Sequence, residues 1–126
     1  MTRRISAMAA ITVILLTPSA WAADIFTPVL TVSSVTSESM ECIVLNTGTT
    51  IVSDVTISIH DAGAGATSET GTFTFAGGAA RSVVETSLPG SGNFYCRVSG
   101  ISKSKAKVTL CLRDANDNCT VAVTAP

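Results

Sequence analysis

Hydrophobic and polar positions alternate with a period of two along much of the chain. The alternation is clearest from Lys105 to Arg113, where Ala106, Val108, Leu110 and Leu112 face one way and Lys105, Lys107, Thr109, Cys111 and Arg113 the other. That is the period of a half-buried strand. The same pattern sets Val55, Ile57 and Ile59 against Thr56, Ser58 and His60, and Phe73 and Phe75 against Thr72 and Thr74. It also puts Phe94, Cys96 and Val98 on one face of a strand over 94–99. Shorter apolar runs predict strands around Val29, Leu30 and Val32, from Cys42 to Leu45, around Val83 and Val84, and over Cys119–Thr124. Pro28 confines the start of the first to an edge or a strand end.

Turn residues separate the runs. Asn46-Thr47-Gly48 offers the positive φ of a tight reversal, so the runs on either side are expected to pair as antiparallel neighbours. Ser33 to Ser39, the small-residue loop Asp61 to Ser68, Gly77-Gly78, Pro89 to Asn93, Gly100 to Lys103 and Asp114 to Asn118 mark the other reversals. About eight short strands without a helical period predict an all-β fold, an antiparallel β-sandwich or barrel.

The N-terminus breaks this pattern. Arg3 and Arg4 precede the apolar run Ala7 to Leu16, followed by Pro18 and Ala20-Trp21-Ala22. A basic start, a short apolar core and an Ala-x-Ala site read as a secretory signal peptide over 1–22. The run is short for a bilayer span; an uncleaved anchor helix is the competing reading. Cleavage after Ala22 leaves a single β-sandwich domain over 23–126, with five aromatic residues: Phe26, Phe73, Phe75, Phe94 and Tyr95. Six Lys and Arg against nine Asp and Glu give it a net charge of −3. Nothing in that balance draws it to nucleic acid or to an anionic membrane.

Cys42, Cys96, Cys111 and Cys119 all follow the leader. An even count after an export signal predicts two disulfides in an oxidising compartment, periplasmic or secreted. Zinc is the alternative, but it wants closely paired ligands, and no Cys-x-x-Cys occurs. Strand phase points Cys96 inward with Phe94 and Val98, and Cys42 inward with Met40 and Val44. It points Cys111 outward, a turn away from Cys119. The preferred pairing is therefore Cys42–Cys96 through the core and Cys111–Cys119 between neighbouring strands; the two other connectivities stay open. Loop closure makes the long bridge worth about 4 kcal/mol and the short one about 2.5 kcal/mol.

Val44-Leu45-Asn46-Thr47-Gly48 followed by Val55-Thr56-Ile57 resembles the strand, Asn-x-Gly, strand pattern of CARDB-type bacterial extracellular immunoglobulin-like domains. The spacing of Cys42 and Cys96 is similar to the disulfide between the sheets of immunoglobulin domains. The resemblance covers about Cys42 to Val98 and implies an immunoglobulin-like, disulfide-stapled sandwich with an adhesive or cell-surface role. The chain departs from the immunoglobulin pattern in having no Trp between the cysteines, and Phe94 where Tyr is usual.

Charge adds one asymmetry. From Ala23 to Glu85 there are seven acids and one base; from Thr86 to Pro126 there are five bases and two acids. If the strands around Arg97 and Lys107 pair, then Tyr95, Arg97, Lys103, Lys105, Lys107 and Arg113 form a basic stripe. That stripe is a candidate binding face for an acidic envelope protein or an anionic surface polymer. Its plainer reading is a set of lysines that solubilise an outer face and protect an edge strand.

Catalytic signals are sparse. His60 is the sole histidine, beside Asp61 and without a Gly-x-Ser-x-Gly elbow, and reads as a solvated strand-end residue. Asp114, Asn116 and Asn118 imitate the start of a calcium loop, but Cys119 and Ala125 stand where it needs Gly and Glu. No cofactor is expected. The expectation is an exported, non-catalytic binding or scaffolding module of the cell envelope. The alternatives are a surface-fibre subunit assembling by strand addition, or a small envelope hydrolase using a serine with His60.

Overall fold

The computed structural model describes residues 23–32, 39–88 and 91–126. The leader 1–22, most of the turn expected over 33–39, and Pro89-Gly90 lie outside the described residues. Among the described residues nine strands are formed: β1 Ile25–Phe26, β2 Leu30–Val32, β3 Ser39–Asn46, β4 Val52–Asp61, β5 Ala66–Phe75, β6 Ala80–Glu85, β7 Gly92–Ser99, β8 Ala106–Arg113 and β9 Cys119–Thr124. One 3-10 turn, Lys103–Lys105, leads into β8.

All strand pairs are antiparallel and make two sheets. The first runs β1-β7-β4-β5, with β2 also pairing along β7; the second runs β6-β3-β8-β9. The fold is thus an all-β sandwich. Its core is built from the inward phase of each strand: Met40, Cys42 and Val44 from β3; Val55, Ile57 and Ile59 from β4; Phe94, Cys96 and Val98 from β7; Val108 and Leu110 from β8, all buried. These are the apolar positions of the period-two pattern, because only one phase of each strand can meet the facing sheet.

Both expected disulfides are present. Cys42–Cys96 joins β3 of one sheet to β7 of the other, with Cα atoms 5.9 Å apart, and both residues are fully buried. Cys111–Cys119 joins the neighbouring strands β8 and β9, with Cα atoms 5.7 Å apart. The bonds imply an oxidising environment. Among the described residues no helix is long and apolar enough to cross a membrane.

Three sequence expectations give way. First, β3 and β4 do not pair; they belong to opposite sheets. The reversal between them is an arch across the core, built by a side chain and not by positive φ. Asn46 is fully buried; its Oδ1 accepts the Gly48 N–H at 3.0 Å, and its Nδ2 donates to the Thr50 carbonyl at 2.9 Å. An Asx turn of this kind replaces the backbone twist of a two-residue hairpin. Second, the first strand is two, β1 and β2, in slightly different registers on β7. Pro28 falls between them, where its missing N–H costs no ladder bond. Third, the loop over Asp61 to Ser68 shrinks to residues 62–65. Asp61 Oδ1 accepts the N–H groups of Gly63 and Ala64, and Gly65 takes φ +64°. β5 can then start at Ala66, along Asp61. That first half of β5 is exposed, so no hydrophobic alternation announced it.

Gly100 closes β7 onto β4. Its φ is +87°, and a Cβ there would lie 2.6 Å from the Asp54 carbonyl oxygen. Asp54 has φ 55° itself, where β4 bulges between Val52 and Val55.

Candidate functional site

β4 and β7 pair through Ser58↔Arg97 and His60↔Tyr95, and β7 pairs with β1 through Phe26↔Arg97. These residues carry the outward phase, so they meet on the outer face of the first sheet. Directly opposed side chains on such a face lie close enough to interact. His60 stacks on Tyr95, with ring centroids 5.1 Å apart and planes within 10°. Tyr95 meets Phe26 at 6.1 Å in a tilted pair. The Arg97 guanidinium lies 5.9 Å from the Phe26 ring centre, within cation–π range. It also donates from Nε to Asp24 Oδ2 at 2.8 Å. Phe26 keeps 48% of its surface exposed in this setting.

His60 is therefore not a free strand-end residue. Ser58 Oγ lies 2.8 Å from Nε2, and Thr67 Oγ1 lies 3.3 Å from Nδ1. Burial lowers its pKa below the ordinary 6.5, and the positive charge of Arg97 adds to the effect. Both effects favour the neutral form of the imidazole.

A serine beside a histidine raises the question of nucleophilic catalysis. Such a pair needs a reachable hydroxyl and a group that orients the imidazole. Ser58 is 7% exposed, and its hydroxyl also lies 3.4 Å from the Arg97 carbonyl. A threonine hydroxyl, not a carboxylate, stands at Nδ1. The Asp61 carboxylate is engaged by its own turn. The Ser58–His60 pair thus combines a buried hydroxyl with an imidazole whose second nitrogen meets a threonine. Ser58 was missed in the sequence, although its two-residue offset from His60 on one strand was the available signal.

The six residues of the expected stripe separate, because β7 and β8 lie in different sheets. Tyr95 and Arg97 belong to the face just described. Lys103 borders a depression of about 200 Å³ shared with Asp24, Ile25, Phe26 and Pro126, at the edge of the same face. Lys105 lies by the Asn46 arch, its aliphatic carbons within van der Waals range of a Cβ placed on Gly48. Lys107, on β8, opposes Leu45 in the second sheet. Arg113 sits at the far end of β8, bonded to Glu41 at 2.8 Å and to the Asp117 carbonyl at 3.3 and 3.2 Å.

The acidic turn before β9 also has a structural use. Asp114 Oδ1 accepts the N–H groups of Asn116 at 2.9 Å and Asn118 at 3.0 Å. These bonds, that of Asn118 foremost, hold its carboxyl below the usual range. Among the described residues no group of three or more His, Cys, Asp or Glu is placed to hold a metal. Comparison of the chain with family models, with curated proteins and with solved structures found no match.

Proposed function

We propose that this chain is an exported, non-catalytic binding or scaffolding module of the cell envelope, periplasmic or secreted. In this reading it is an immunoglobulin-like sandwich that docks through the outer face of its first sheet. The observation that carries the reading is Phe26: a half-exposed ring held between Tyr95 and the Arg97 guanidinium on an open face. Exposed aromatic and arginine side chains fixed in place are the usual anchors of an interface. Because neighbouring side chains already hold them, little rotamer freedom remains to be lost on docking. Arg97 and Lys103 at the margin suit an acidic envelope protein or an anionic surface polymer.

The test is affinity capture from the native envelope, with the exported protein beside a Phe26→Ala/Tyr95→Ala variant. A partner held by the wild type and lost by the variant is expected. A partner retained equally by both overturns the assignment of this face. Labelling of Ser58 by an active-site serine probe would overturn the non-catalytic reading and restore the hydrolase.

A further inference from the structure

We propose that β1–β2 is an exchangeable strand, and that residues 25–32 of one copy occupy the β7 edge of a second copy. In the closed chain, among the described residues, this segment pairs with β7 alone. The contact runs from Ile25↔Val98 to Val32↔Gly92. Thr27 bridges the two short ladders: its N–H donates to the Cys96 carbonyl at 3.0 Å, and its buried Oγ1 accepts the Cys96 N–H at 2.9 Å. Ile25, Leu30 and Val32 point inward and are buried.

Release of the segment would leave the rest of the sandwich joined. β7 stays paired with β4 from Thr56 to Asp61, and Cys42–Cys96 ties it to the opposite sheet. Neither disulfide includes a residue of 25–32. What release leaves is a slot: an apolar gap along β7 and a Cys96 N–H without its acceptor. Water can pair that N–H, but the apolar gap faces solvent until a strand covers it again.

The occupant that refills the slot needs apolar side chains at the positions of Ile25, Leu30 and Val32, and a hydroxyl at that of Thr27. A second copy of this chain supplies all four at the required spacing. Exchange of an identical element restores every contact, which is why it is a low-cost route to association. Asp24 and Phe26 travel with β1, so an exchanged assembly builds its outer aromatic face from two chains.

Thr31 and Asn93 supply the test. They face each other on β2 and β7, both exposed, with Thr31 Oγ1 donating to Asn93 Oδ1 at 2.8 Å. Exported T31C and N93C variants are mixed over a range of concentrations under mild oxidation, and linked peptides are mapped without reduction. The expected result is a 31–93 link between copies, in a species of twice the monomer mass whose share rises with concentration. A T31C/N93C double variant, oxidised when dilute, shows that the two thiols can join within one chain, and should then stay monomeric on concentration. An intrachain link in the double variant, with no 31–93 link between copies at any concentration, overturns the proposal. So does a mixture that yields 31–31 links alone.

Discussion

The two sheets turn different outer faces to solvent. On the first, side chains are partnered across three strands: His60 on Tyr95, Tyr95 against Phe26, Arg97 over Phe26 and bonded to Asp24. On the second, Lys107 stands without an ion-pair partner among the described residues, and Arg113 is drawn to the far end by Glu41 and the Asp117 turn. The second face and its lead-in carry most of the basic charge of the C-terminal half, yet the first carries the organisation. Like charges along a strand repel and stay hydrated, whereas rings and opposite charges on opposed strands lock one another in place. Charge density alone therefore does not show which face of a sandwich has its side chains held in place.

The largest expected effect breaks both faces together. Removing the Cys42–Cys96 bond by a double substitution to Ala should cost about 4 kcal/mol from loop closure alone. Denaturant melts should show one cooperative transition moved far to lower denaturant. Removing Cys111–Cys119 by double substitution to Ser should cost about 2.5 kcal/mol. This second loss falls on the β8–β9 edge, so amide exchange should quicken there and leave β4 and β7 protected.

Smaller effects separate the faces. Tyr95→Ala removes the His60 stack and the Phe26 contact and should cost about 1 kcal/mol. Lys105→Glu with Lys107→Glu should change stability by less than about 0.5 kcal/mol. The smallest is a pH effect confined to the first face. The folded-state pKa of His60 lies below its unfolded value near 6.5. Below that pH the unfolded chain takes up the proton first, so stability is full above about pH 6.5 and declines as pH falls through it, until the lowered folded value is passed. A His60→Asn variant should lose this part of the pH dependence when melts are compared between pH 7.5 and 5.5.

The core strands and the disulfides were legible because both depend on phase, unlike β1 and the exposed first half of β5. Val108 and Leu110, or Phe94, Cys96 and Val98, need no partner to be named before they can be called inward. Phase also pointed Cys42 and Cys96 at each other. Strand neighbours were not legible, because the arch after β3 is made by the buried amide of Asn46, and Asn-x-Gly reads the same in a hairpin as in an arch. The basic stripe failed for that reason: it required β7 and β8 to be neighbours. The aromatic row was hidden likewise. Phe26, Tyr95 and His60 come from three separated segments, and only the order β1-β7-β4 brings them together.

One titration tests the contrast between the faces most directly. The partner captured from the envelope is titrated against the wild type, F26A/Y95A and K105E/K107E, after each variant's fold has been checked by its melt. The expected result is that F26A/Y95A loses binding by tenfold or more, on the order of the 1.4 kcal/mol or greater expected of an interface anchor, while K105E/K107E binds as the wild type does. Binding that survives in F26A/Y95A and collapses in K105E/K107E would contradict it and return the docking surface to the lysines.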